Sequence, residues 1–293
     1  DTPNEFLPSR PAKAFPDGQP TDSRGRVVSE LRLPRTYVVG HGEVGRRLGG
    51  ALDRAGVPTC PVTRTRGWDE ARGDPEGVCL VCVGEESLAE VLETLHNVPS
   101  ERLILVQNGW IRPLLVDLPD NTRGLIWFTS KGDFFQILRA NAFAGPLAED
   151  MALALAAGGL PSEPVEKAMF DSLEADKMGF NCVVGLPLAV HSMTLGDYLA
   201  ECPGEAKAVF EEAVNACSAA TGAEIDSRGW STFLETAKYL SWVRTSQAKA
   251  LDFRNRAVVA LAAEHGLTAP TNQNLLRKYG ENCVTNSGWS EEP

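Results

Sequence analysis

At 293 residues, with 43% hydrophobic and 23% charged side chains, the chain has the make-up of a globular protein of two domains with a sizeable core. A formal net charge of −11 and a pI near 5.0 argue against a nucleic-acid duplex or an anionic membrane surface as partner, because both require a basic face. Local basic spots that hold one phosphate remain open, and no apolar run is long enough to span a bilayer.

Residues 1 to about 34 carry Pro3, Pro8, Pro11, Pro16, Pro20 and Pro34 among polar residues, which disfavours helix and central strand alike. They read as an extended arm along a surface of this chain or of a protein partner, or as a disordered tail. The chain opens at Asp1, which fits a mature protein whose targeting peptide is gone or a trimmed chain. Seven cysteines, Cys60, Cys79, Cys82, Cys182, Cys202, Cys217 and Cys283, are odd in number and scattered. The closest pair, Cys79 and Cys82, lies three apart in an expected strand, so the thiols face opposite ways and neither a zinc nor a disulfide framework is expected. Free buried thiols imply a reducing compartment, cytoplasm or an organelle matrix or stroma, and a soluble protein.

From Thr36 onward short apolar runs alternate with helical patterns, the signature of parallel βαβ units. Strands are expected at 36–40, 58–63, 78–83, 102–107 and 124–129, with helices at 43–55 and 87–96. The near-continuous hydrophobicity of 78–83 and 102–107 suits strands covered on both faces, hence a doubly wound, Rossmann-like parallel sheet over residues 35–146. Its first turn reads Gly40-His41-Gly42-Glu43-Val44-Gly45, a G-x-G-x-x-G between strand and helix. Gly40 permits the tight turn, Gly42 leaves room for a pyrophosphate, and Gly45 lets helix approach strand. With Glu43 and Val44 these residues form the expected cofactor loop, the anion sitting on free N–H groups at the helix start. The same spacing also fits a glycine-rich turn of another α/β fold. An NAD site places an acid about 20 residues on. Here the second strand runs into Arg64 and Arg66 with no acid before Asp69, which favours NADP over NAD unless these arginines are simply solvated.

After Gly145-Pro146 alanine-rich helical patterns take over at 147–158, 163–200, 204–221, 230–247 and 249–265. Gly222 and Gly266 end two of them as C-terminal glycines. An all-helical substrate or dimerisation domain is expected over 147–278, with a polar tail from 279 to 293. His41 reads as a tolerated loop residue, not a catalyst, while His191 and His265 read as structural, with no companion at metal-ligand spacing, and no metal site is expected.

Five motifs in order carry more than composition. They are the glycine loop, Gln107-Asn108-Gly109, Gly145-Pro146, Asp176-Lys177-Met-Gly-Phe-Asn181-Cys182-Val-Val-Gly185, and Leu251-Asp252-Phe253-Arg-Asn255 running on to Pro270-Thr-Asn272. Together, over about residues 35 to 280, they resemble the ketopantoate reductase family. The resemblance implies NADPH-dependent reduction of a 2-keto acid in a cleft between the two domains. It implies that Lys177 acts on the ketone oxygen, supplying the proton as hydride reaches the carbon. An ammonium there stabilises the developing alkoxide. Asn181, four residues on, shares its helical face, and Asn108 contacts cofactor and substrate.

Several positions depart from the family's pattern. Ala250 stands where the family has a glutamate, Gly185 where it has a second asparagine, and Gly84, ahead of Glu85-Glu86, where it has a lysine. The family's substrate-carboxylate serine falls on or near Lys238, a candidate to bind that carboxylate differently. Lost hydrogen-bonding groups remove specificity, so ketopantoate itself is not the expected substrate. Two readings follow: an NADPH-dependent reductase of another carbonyl, or a non-catalytic member serving as a subunit of a larger assembly, either one a homodimer through its helical half.

Overall fold

The computed structural model describes residues 32–286 and the side chains of 32–281. Residues 1–31 of the expected arm and 287–293 of the expected tail lie outside the described residues. From Thr36 the alternating pattern becomes β1 (Thr36–Val39), α1 (Glu43–Arg54), β2 (Thr59–Val62), α2 (Trp68–Gly73), β3 (Val78–Val81), α3 (Leu88–Thr94), β4 (Leu103–Leu105) and β5 (Thr122–Leu125). These five strands pair in parallel in the order β2-β1-β3-β4-β5. Every residue of β1 and β3 is buried, as strands with both faces covered must be. One face, with Tyr37, Val39, Val81 and Leu105, packs on Leu88, Val91 and Leu95 of the α3 segment. On α1, Gly49 packs against Val38.

The expected strand at 124–129 divides. Its first half is β5, and its second opens a hairpin, β6 (Phe128–Lys131) and β7 (Phe134–Ile137), turning at Gly132. The chain then returns as β8 (Asn141–Ala144), antiparallel to β5, so the sheet is mostly rather than wholly parallel. After α4 (Ala148–Ala157) a seventh strand, β9 (Ser162–Pro164), adds to β8, and strand structure thus continues past Gly145-Pro146. Neither strand was expected, because each is too short to show a period and β9 is mostly polar.

The helical half holds α5 (Lys167–Val183), α6 (Leu186–His191), α7 (Leu195–Glu201), α8 (Pro203–Thr221), α9 (Gly229–Ala237), α10 (Asn255–Glu264) and α11 (Pro270–Asn286). The single helix expected over 163–200 is therefore three, broken at Gly185 and again at Ser192, which adopts a left-handed φ of 55°. Likewise 230–247 ends early, passing through a 3-10 turn at Lys238–Leu240. Part of the expected tail is helix, since α11 runs to Asn286 on a sequence too polar to show its one buried stripe through Leu275.

Helix α5 lies at the middle, packed on α8 with Gly179 close against the ring of Phe210. Polar ties fix it at both ends. Arg112 reaches Glu174 at 2.7 Å and also Asp171, and Arg123 on β5 reaches Glu174 at 2.6 Å. At its far end Asn255 donates to the Cys182 carbonyl and, at 2.8 Å, to Asn272 Oδ1. The sheet and the helices thus share one central helix. Among the described cysteines all are free, with Cys79, Cys182 and Cys217 buried and Cys60, Cys82 and Cys202 half-buried.

Candidate functional site

The glycine turn takes the shape its spacing requires. Gly40 has a φ of 92°, and a Cβ there would lie 2.8 Å from Val83 Cγ1. A Cβ on Gly45 would stand 2.1 Å from the Gly40 carbonyl oxygen, so only glycine lets α1 sit this close to β1. Gly42, the N-cap of α1, faces open space and offers no side-chain cap, leaving the first N–H groups of the helix available to an anion. Beside it opens a cavity of about 210 Å³ lined by Glu43 and Val44 on one side and by Gly84, Glu85, Gln107 and Asn108 on the other.

Glu43 turns toward the β6–β7 hairpin. It accepts from Ser130 Oγ at 2.9 Å and pairs with Arg46, and its carboxyl is held below the usual range chiefly by that hydroxyl. Arg47 grips the same hairpin through Ser130 Oγ and the Gly132 carbonyl, both at 3.1 Å. Arg64 stands two residues past Val62, whose carbonyl accepts from Gly40 N–H at 3.0 Å. It is exposed and makes no side-chain bond among the described residues, as a phosphate-binding arginine or a solvated one would be.

Across the sheet's carboxyl ends, Gln107 donates its amide to the carbonyls of Val81 and Val83, at 3.0 and 3.1 Å, leaving Oε1 buried without a partner among the described residues. Next to it the Asn108 carbonyl accepts from Asn181 Nδ2 at 2.6 Å, which joins the loop after β4 directly to α5. Gly109 is pressed against Phe253, and the Phe253 carbonyl accepts from Trp110 N–H at 2.7 Å. The structure therefore brings Asn108, Asn181 and the 251–255 segment to one seam.

Lys177, one turn before Asn181, is 5% exposed. Its ammonium donates to the Ile126 carbonyl at 3.0 Å and lies 3.8 Å from the centre of the Trp127 ring and 4.9 Å from that of Phe180. No carboxylate among the described residues pairs with it. Burial, with the charges of Arg254 and Arg139 adding to it, pushes its pKa down to about 7. A group that exchanges its proton near neutrality, seated beside hydrogen-bonding amides, is equipped for acid–base work. The neighbouring Asp176 is pushed up to about 6 by burial, with Asp226 adding to it.

Lys238 is not part of this group. It is exposed on the 3-10 turn after α9 and pairs with Glu235 at 2.6 Å. Residues 236–237, not 238, face inward there, and Arg139 donates to Thr236 Oγ1 at 2.8 Å while stacking over Trp127. Gly185 falls in the break between α5 and α6, and Ala250 is buried in a left-handed conformation with a φ of 49°. The acids that stand where the resemblance implies a lysine are partly compensated, because buried Glu85 accepts from Arg254 at 3.1 Å.

Trp127, Phe180, Arg139, Glu85 and Arg254 complete the seam without having been singled out as site residues. Trp127 lay within the strand expected at 124–129 and Arg254 inside a quoted motif, but neither position tells which group the side chain meets. Lys177 lines neither the cavity beside Gly42 nor a second one of about 350 Å³, which lies beside α1 and β2 with His41, Arg46 and Asp53.

Comparisons with family models and with curated proteins give no match to this sequence. Among solved structures the chain is similar to a PanE/ApbA family ketopantoate reductase from Ralstonia eutropha JMP134, with a TM-score of 0.68 at 15% identity over 84% of this chain and 97% of that one. A dimeric ketopantoate reductase from Staphylococcus aureus gives 0.66 at 17% identity over 85% and 99%. D-mandelate dehydrogenase in complex with NADH gives 0.69 at 11% identity over 86% and 99%. At these identities the likeness establishes the fold: a Rossmann-like sheet followed by a helical half, as the resemblance implied, in a sequence that has diverged far from those neighbours.

Proposed function

We propose that the chain is a pyridine-nucleotide-dependent reductase of a 2-keto acid or related carbonyl, with NADP as its cofactor and Lys177 as general acid. The observation that carries this reading is the Lys177 ammonium: buried, without a carboxylate, with a pKa near 7, and one helical turn from an asparagine bonded to the loop that lines the cofactor cavity. A dinucleotide fits the residues present. Open Gly42 and the bare start of α1 suit its phosphates, Arg64 and Arg66 suit a 2′-phosphate, and Gln107 Oε1 remains free to accept a bond.

A nicotinamide held at that cavity by the α1 start, Gln107 and Asn108 would supply hydride. Lys177 then holds its proton against the carbonyl oxygen, stabilises the alkoxide as charge develops, and delivers the proton. Asn181 and Asn108 position the reacting group, and the rings of Trp127 and Phe180 keep water from the ammonium. The fold neighbours lend support, being described as ketopantoate reductases and as a mandelate dehydrogenase with NADH.

The test is fluorescence titration with NADPH and NADH, followed by a screen of keto acids. NADPH is expected to bind more tightly than NADH, and Arg64→Ala/Arg66→Ala to remove about tenfold or more from NADPH alone, the worth of a charged hydrogen bond. Lys177→Ala should abolish turnover while sparing NADPH binding. Unchanged turnover in that variant would sink the assignment. A second reading, a non-catalytic subunit, draws on the cover of Trp127 and Phe180 over Lys177 and on the outward Lys238. It predicts nucleotide binding without turnover of any keto acid and recovery of the chain in a larger assembly.

A further inference from the structure

Among the described residues the Arg254 side chain is joined to the seam by a single bond. Its Nη2 meets Glu85 Oε1 at 3.1 Å, long for a charge-assisted contact, while Nε, the next donor on the guanidinium, is buried and has no partner among the described residues. The Arg254 side chain is 20% exposed and that of Glu85 10%. Glu85 lines the proposed cofactor cavity together with Asn108, and Phe253 packs on Gly109, so the guanidinium is one contact, through Glu85, from that cavity. Both Lys177 and Cys182, five residues apart on α5, feel its charge. A buried donor without a partner costs free energy that a native protein recovers only where something else bonds it. With Lys177 unpaired and Lys238 turned outward, Arg254 is the cation placed to take an acid group next to the reacting carbonyl.

We infer that Arg254 is the substrate-binding residue for the carboxylate of an anionic substrate, taking it through Nε while Glu85 holds the guanidinium in place. This rests on the reductase reading above for its substrate, but the anion site itself is testable without turnover. A guanidinium matches a carboxylate edge to edge, which an ammonium or an amide cannot reproduce. The substrate class is therefore a 2-oxo acid whose carboxylate adjoins the carbonyl facing Lys177, rather than a neutral aldehyde or ketone.

Oxalate, an inert stand-in for a carboxylate beside a carbonyl, is titrated calorimetrically into the full chain with and without NADPH. Wild type should bind it, Arg254→Gln should bind it about thirtyfold or more weakly, and Arg254→Lys should fall between, as expected for loss of a desolvated charge contact. The paired variant Glu85→Gln/Arg254→Gln leaves neither member of this pair as an unmatched charge, so it guards against a folding defect and should show the same loss. Oxalate binding that is absent from wild type, or equal in wild type and the paired variant, overturns the assignment. NADPH binding is read separately. If wild type fails to bind NADPH yet binds oxalate in an Arg254-dependent way, the nucleotide reading falls and the anion site stands.

Discussion

An ammonium group taken out of water is costly unless a counter-charge follows it, and none among the described residues follows Lys177. The protein offers one carbonyl and two aromatic faces instead, an arrangement that tolerates the cation but holds it weakly. In the unfolded chain this amine titrates near 10.5 and in the folded one near 7. Between those values the unfolded state binds more protons, so folding stability should rise as pH climbs from about 7 toward 10. Below 7 the full penalty applies. Lys177→Met should flatten this slope and raise the melting temperature at pH 7, read by denaturation across pH 6 to 10; an unchanged slope would mean that the lysine is not desolvated. Asp176 acts in the opposite sense at lower pH. Its carboxyl is raised to about 6, so the folded state binds the extra proton and stability should fall as pH rises from about 4 to 6. Asp176→Asn removes that fall. Lys177 was legible in the sequence through its motif. Its lowered affinity for a proton was not, because that depends on Trp127 and Ile126, about fifty residues away along the chain, and on Arg254 beyond.

The β6–β7 hairpin shows the same limit for a whole element. Its residues read as the tail of one strand, yet it is clasped to α1 through Glu43 and Arg47, with the Arg47 guanidinium 4.8 Å over Phe135. At its far end Phe134 meets Trp242 edge-on at 5.1 Å. The hairpin's two feet are Trp127 and Arg139, both at Lys177, so it joins the glycine loop to the lysine. Arg47→Ala should cost about 1 kcal/mol, the worth of a few exposed hydrogen bonds. It should also speed amide hydrogen exchange across 128–137 while leaving β1 and β3 protected; uniform exchange in wild type and variant would show that the clasp does not restrain the hairpin. The glycine turn contrasts with it. Gly45→Ala must displace the Gly40 carbonyl, at about 1 to 3 kcal/mol by the usual cost of overpacking, and denaturant unfolding reads this directly.

Across the molecule the sheet and the helices are tied by charges that meet on α5. Arg112 and Arg123 both converge on Glu174, which is 5% exposed, and Arg112 reaches Asp171 as well. Breaking such a buried set by removing one member leaves its partners uncompensated, at about 3 to 5 kcal/mol. Glu174→Ala should lose that much in denaturant unfolding. A loss under about 1 kcal/mol, the value of an exposed pair, would show that the network is solvated. The same seam carries Asn181 to the Asn108 carbonyl and Arg254 to Glu85, so the contacts that hold the two halves together also shape the proposed site.

The alternation of strand and helix from Thr36, the glycine turn and the helical character of the second half were readable because they are local: a period of two or 3.6, or a φ that only glycine adopts cheaply, is written in neighbouring residues. The strands β8 and β9, the breaks within 163–200 and the helix at α11 were not, since short or polar segments take their structure from what they pack against. Only the folded chain decided which charges lie within reach of one another. Lys238 faces outward by its place on a turn, and Arg254 meets Glu85 across 169 residues of sequence. Electrostatics and desolvation act through space, and the order of residues along a chain does not record that space.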